Sequence, residues 1–236
     1  MYREFFLGFI ILLGYFLIAV CAAFVFRKIV SLPREVFRKT LHIILIGAIF
    51  ILIYAFNTWW IAVLVCLGFI VLVYPILILG ERFTSFTDLL IQRGAGEIKR
   101  SLVVAFVMFA ILISVCWGWF DEKYLIITSV LAWGLGDAAA ALIGKRFGKY
   151  IIKGKLVEGS KTVEGTVASF IVSSLTVFIV LVSYQAVVSA AYLPISLITG
   201  AVVALVELYT RAGMDTITCP LAAVTVLILL TRVWGV

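Results

Sequence analysis

The stretch FFLGFIILLGYFLIAVCAAFVF, residues 5–26, carries no charged side chain from end to end. Its length is close to the ~20 residues that a helix rising ~1.5 Å per residue needs to cross the hydrocarbon core of a bilayer. Its apolar residues are continuous rather than alternating, which separates it from a barrel strand. A peptide group in lipid must find its hydrogen bonds within the chain, so the run predicts a transmembrane α-helix. IAVC at 18–21 has the outline of a lipoprotein cleavage site. The apolar run nevertheless continues through AAFVF, beyond a usual signal core, so the segment is expected to be retained.

The rest of the chain reads the same way. Its 236 residues are 65% hydrophobic and only 13% charged, with a mean hydropathy of +1.25. Further apolar runs at 41–56, 59–80, 101–119, 124–143, 163–183, 186–208 and 217–234 predict an all-α integral membrane protein. The expected architecture is a bundle of about eight transmembrane helices forming one domain over 1–236, with no repeat or soluble module. Cys21, Cys66, Cys116 and Cys219 stand singly without CxxC spacing, which points to packing rather than to a metal or disulfide framework. NTWW and DEKY read as interfacial turns with aromatic anchors.

Charge orients the bundle. All of the 19 basic residues except Arg3, Lys123 and Arg232 fall in the loops after spans 1, 3, 5 and 7. Loops that stay in the cytoplasm carry the Lys and Arg excess, so both termini are expected outside and those four loops inside. The net charge of +7 is then a cytoplasmic-face charge, suited to anionic lipid headgroups and phosphate-bearing substrates. No nucleic acid partner is expected. The active site is expected on that face, in the plasma membrane if the source is prokaryotic.

The chemistry-bearing residues concentrate in GDAAAALIGKRFGKYIIKGKLVEGSKTVEGT, residues 136–166. Asp137 falls about seven residues before the end of span 5, ~10 Å below the boundary in an unbroken helix. An ionised carboxylate at depth costs roughly 3 kcal/mol on insertion scales. Gly134 and Gly136 therefore predict a helix broken at WGLGD, with Asp137 lining a polar cavity; the alternative is a neutral Asp137 in an interhelical hydrogen bond. Glu164, Glu207 and Asp215 lie on the same side, and hard carboxylate oxygens suit Mg²⁺ carrying phosphate oxygens as further ligands. Glu164 also has a purely structural reading, a carboxylate complementing a helix dipole.

Glycines at 144, 148, 154, 159 and 165 permit tight turns beside lysines that neutralise phosphate. GKLVEGSKT approaches the GxxxxGK[ST] pattern, but Ser160 intrudes and no strand precedes it, so a P-loop is excluded. Lys161 and Thr162 are instead expected to reach phosphate near the N-terminus of span 6. In LPREVFRKTLHI, Arg38, Lys39 and His42 lie within one turn and are expected to hold a lipid headgroup, with His42 either a base or a structural group. Residues 81–100, with Gly94 and Gly96, read as an amphipathic flap.

Together RKTLHI (38–43), GDAAAALIGKRFGK (136–149), KTVEGT (161–166) and ELYTRAGMDTITCP (207–220) resemble the CTP-dependent lipid alcohol kinases, the group of phytol kinase, dolichol kinase and yeast-type diacylglycerol kinase. The resemblance covers most of the chain. It implies an Mg²⁺-dependent transfer of a nucleotide's γ-phosphoryl group, CTP favoured over ATP, to an isoprenoid alcohol or diacylglycerol. It further implies nucleotide contacts from Gly136, Gly144, Lys145, Gly148, Lys149, Lys161, Thr162 and Gly165, metal ligation by Asp137, Glu164, Glu207 and Asp215, and catalytic roles for Asp137, Lys161, Arg38 and His42. The chain departs from the family pattern at Thr216, where relatives often carry Asn, and at Ala138, where they often carry Thr. Rival expectations are a phosphatidate cytidylyltransferase, whose His-Gly-Gly signature the chain lacks, and a transporter of an anionic solute.

Overall fold

A computed structural model describes residues 2–82, 96–154, 157–211 and 213–234. Eight helices among these are long and apolar enough to cross a membrane. The chain divides into two compact units, Met1–Asp121 and Glu122–Val236, although its composition is uniform through that point.

The first unit contains α1 (Tyr2–Val30), α2 (Arg34–Tyr54), α3 (Trp59–Gly80) and α4 (Glu97–Leu112), whose last turns widen into a π-helix over Ile113–Trp119. Aromatic rings fill its centre. Phe69 of α3 stacks on Phe106 of α4 with centroids 4.5 Å apart, and Phe16 of α1 lies 5.0 Å from Phe69. Such pairs contribute about 0.5–1.5 kcal/mol beyond the area they bury. Two long-range polar contacts tie its elements: the Tyr15 hydroxyl donates to the Ile44 carbonyl at 2.7 Å, and Glu4 accepts the Asn57 amide at 2.8 Å.

The second unit contains α5 (Lys123–Phe147), α6 (Val163–Tyr184), α7 (Tyr192–Tyr209, preceded by a 3₁₀ turn at Ser189–Ala191) and α8 (Asp215–Trp234). Small residues recur every four positions on α5 at Ala132, Gly136, Ala140 and Gly144, and on α6 at Gly165, Ser169 and Ser173. These two stripes face each other. A Cβ on Gly165 would stand 2.8 Å from the Ala140 carbonyl oxygen, and one on Gly136 would collide with the Ser173 hydroxyl, which donates to the Ala132 carbonyl at 2.7 Å. Without a hydrophobic force between helices in lipid, such close backbone approach is what holds them together. Gly200 of α7 repeats the device against Ser174 of α6, whose backbone nitrogen is 2.8 Å from the absent Cβ.

One expectation is overturned here. The helix predicted to break at WGLGD is continuous from Lys123 to Phe147. Gly134 and Gly136 are both buried, and Gly136 serves the approach of α6 rather than a kink. Asp137 consequently projects from an unbroken helix, ten positions from its end at Phe147, ~15 Å along the axis.

Gly136→Leu should therefore pry α5 from α6. The expected cost is about 1–3 kcal/mol of overpacking, visible as a lowered thermal midpoint in detergent; Gly14→Leu, where nothing lies within 4 Å of the added Cβ, should leave the midpoint unchanged.

Candidate functional site

The chain gathers its polar residues at the end of the second unit where α5 finishes and α6 begins. Gly144 and Gly148 make this junction possible. A Cβ at Gly144 would stand 2.9 Å from Thr162 Oγ1, and one at Gly148 would stand 2.6 Å from Thr162 Cγ2, so the end of α5 fits against the N-cap of α6 only without side chains. Thr162 is extended, as an N-cap must be, and its Oγ1 accepts the Gly165 amide at 3.2 Å.

The loop between these helices is drawn back on itself. An antiparallel bridge joins Ile151 to Thr162, with the Ile152 amide donating to the Lys161 carbonyl at 2.8 Å and the Val163 amide to the Tyr150 carbonyl at 2.9 Å. Glu164 closes the loop: its Oε1 accepts the Lys149 amide at 3.0 Å and the Tyr150 amide at 3.3 Å. Two first-turn amides of α6 thus already have acceptors in the chain, Val163 at Tyr150 and Gly165 at Thr162. The helix terminus expected to meet phosphate at Thr162 thus has two of its amides capped by the chain's own residues. Lys145, Lys149 and Lys153 are all exposed.

Lys161 points elsewhere. Its Nζ donates to Glu207 Oε1 at 2.9 Å and to the Glu207 main-chain carbonyl at the end of α7. Glu207 is 9% exposed, and Asp137 and Asp215 both act on it electrostatically. The same three carboxylates act on Cys219, one turn into α8. Asp137 and Asp215 are themselves half-buried. Three acids and one lysine from α5, α7, α8 and the loop before α6 therefore share one neighbourhood. Nearby, the hydroxyls of Thr210 and Thr218 meet at 3.0 Å and tie the end of α7 to the start of α8.

The four carboxylates expected to hold Mg²⁺ have the right chemistry, hard anionic oxygens. Their arrangement does not match a ready ligand set. Glu164 is engaged with backbone amides and Glu207 with an ammonium, and among the described residues no group of three or more His, Cys, Asp or Glu is disposed to hold a metal ion.

Arg38, Lys39 and His42 belong to the first unit and lie in the first turns of α2, which begins at Arg34. Arg38 is bonded to Glu35 and lies 3.6 Å from Glu97 Oε1, so two carboxylates flank it. Lys39 is only 4% exposed. Lys99 pairs with Glu81 at 2.6 Å. Of the expected flap, Glu97–Arg100 form the first turn of α4 after Gly96 at φ +77°, while Arg93 and Gly94 lie outside the described residues, as does Lys155 of the basic loop.

Sequence reasoning did not find the partners of these charges. The Glu35–Arg38 pair was within reach, three residues apart on one helix face. The Glu164 clamp and the Lys161–Glu207 pair span 14 to 46 positions and leave no local signal. Comparison of the chain with known protein families, with curated proteins and with solved structures finds no match in any of the three.

Glu164→Ala should release the Lys149 and Tyr150 amides and loosen the loop. Tryptic cleavage at Lys153 in detergent should accelerate severalfold in the variant, with α-helical content unchanged; an unaltered cleavage rate would mean that the bridge between Ile151 and Thr162 holds the loop alone.

Proposed function

We propose that this chain is a membrane lipid alcohol kinase. It moves the γ-phosphoryl group of a nucleoside triphosphate, CTP favoured, onto the hydroxyl of a phytol, polyprenol or diacylglycerol type of lipid. The observation that carries the reading is the folding of residues 148–154 and 157–164: a loop with exposed lysines is stapled back on itself, and its Lys161 meets Glu207, a carboxylate on which Asp137 and Asp215 also act, at one end of four apolar helices. The resemblance of RKTLHI, GDAAAALIGKRFGK, KTVEGT and ELYTRAGMDTITCP to the lipid alcohol kinases supports the same reading. The basic bias of the loops further supports a cytoplasmic position for this end.

Phosphoryl transfer asks little covalent chemistry of a protein and much positioning and charge stabilisation. In this reading Lys149 and Lys161 bind phosphate oxygens. The lipid keeps its tail in the bilayer and enters laterally, bringing its hydroxyl to the half-buried Asp137. A bond forms between the hydroxyl oxygen and the γ-phosphorus as the bond from that phosphorus to the β,γ-bridging oxygen breaks. The nucleoside diphosphate leaves, and the hydroxyl proton passes to Asp137 and then to water.

The deciding assay uses purified protein in mixed micelles with Mg²⁺ and γ-labelled CTP or ATP, against phytol, farnesol, geranylgeraniol, a long polyprenol and diacylglycerol. Label should appear in lipid, and Asp137→Asn should lower turnover by about 10²-fold or more. Pyrophosphate release from CTP with phosphatidate, without label transfer, would assign a cytidylyltransferase. Nucleotide-independent solute uptake by vesicles would assign a transporter.

Orientation has its own test. In a Cys21→Ser background, Lys153→Cys should resist a membrane-impermeant thiol reagent in intact cells and react after lysis, while Asp121→Cys should react in both.

A further inference from the structure

We propose that Glu207 is the positioning partner of Lys161, holding its ammonium in place for a phosphate oxygen, rather than a metal ligand. The inference rests on the kinase reading for its catalytic consequence and on geometry alone for the pairing.

Glu207 poses a problem that the pairing resolves. It is a carboxylate with 9% exposure, inside a helix, near two other carboxylates. A buried acid beside two half-buried ones needs a cation near it, and a metal ligand would turn its oxygens toward a cation shared with those neighbours. Here Oε1 accepts from Lys161 Nζ at 2.9 Å, and the main-chain carbonyl of the same residue accepts from the same nitrogen. That carbonyl belongs to the last turn of α7, where carbonyls lack intrahelical partners and the helix dipole presents its negative end. Three sources of negative potential therefore converge on one ammonium: a side chain, an orphan carbonyl and a helix terminus.

The lysine is fixed at its other end too. Its carbonyl accepts the Ile152 amide, and the next residue is the N-cap of α6. A four-carbon stem is ordinarily mobile and loses much rotamer freedom when it grips a ligand. Anchoring both ends spends that freedom during folding. An ammonium has three N–H donors; Glu207 takes two, and the third remains for a phosphate oxygen. Glu207 thus acts through Lys161.

A double-mutant cycle separates this role from metal ligation. Lys161→Met, Glu207→Gln and the double variant are compared for kcat, nucleotide KM and Mg²⁺ dependence in the lipid kinase assay. Each single variant should lower kcat/KM by about 10²-fold, as the loss of one charge-stabilising donor does. The double variant should match Lys161→Met within about threefold, because both substitutions remove one unit. Half-saturating Mg²⁺ should not move in Glu207→Gln. Multiplied losses, or a Mg²⁺ requirement raised by about tenfold or more in Glu207→Gln, would overturn the proposal and make Glu207 an independent ligand. A lowered thermal midpoint with kcat intact would overturn it as well, leaving a structural pair. Glu207→Asp, which keeps the charge but shortens the reach, guards against a folding defect: it should retain the parent's thermal midpoint and still lose kcat. If no lipid acceptor is labelled by the parent protein, the kinase reading fails and the pairing is still decided, since the thermal losses of the two single variants should then be non-additive in the double and strictly additive losses would refute it.

Discussion

A peptide group surrounded by hydrocarbon can bond only to its own chain, and every later feature of this protein follows from that constraint. It forces each apolar run into a helix. It also removes the usual reason for helices to associate, since lipid is as apolar as Leu. Exposed side chains such as Ile10, Leu17, Val71, Ile171 and Leu229 therefore carry no penalty. What holds α5 to α6 is backbone proximity, obtained by placing Gly136, Gly144 and Gly165 where a Cβ would collide with Ser173, Thr162 or the Ala140 carbonyl.

That packing sets the position of the polar residues. Because Gly144 and Gly148 admit Thr162, the loop between α5 and α6 must turn sharply, and it turns by pairing Ile151 with Thr162. Pairing puts Lys161 at the edge of the turn, from which its side chain crosses to the end of α7. Glu164, in the first turn of α6, is left facing the amides of Lys149 and Tyr150. Helix contact, loop closure and lysine placement are thus successive consequences of a few missing methyl groups.

Buried charge is managed differently in the two units. In the first, Arg38 is flanked by Glu35 and Glu97, and Lys99 by Glu81, pairs in which opposite charges meet in partly solvated surroundings. Such pairs contribute modestly to stability. In the second, Lys161 meets the buried carboxylate of Glu207, on which Asp137 and Asp215 also act.

The sequence by itself determined the class of structure and the number of long apolar helices, because uncharged runs of this length have one solution in lipid and their spacing is local. It also singled out the residues with chemical capacity, Asp137, Lys161, Glu164, Glu207 and Asp215, since charges are conspicuous against an apolar chain. It misjudged Gly134 and Gly136, which look alike whether they break a helix or let a neighbour approach; only the position of Ser173 distinguishes the two uses. Tertiary structure alone decided which charge meets which. Lys161 and Glu207 are 46 positions apart, and Glu164 meets amides rather than a fellow acid, outcomes fixed by the angle at which helices pack and invisible to any local pattern. The boundary between the two units at Asp121 was likewise decided by packing, because both sides of it have the same composition.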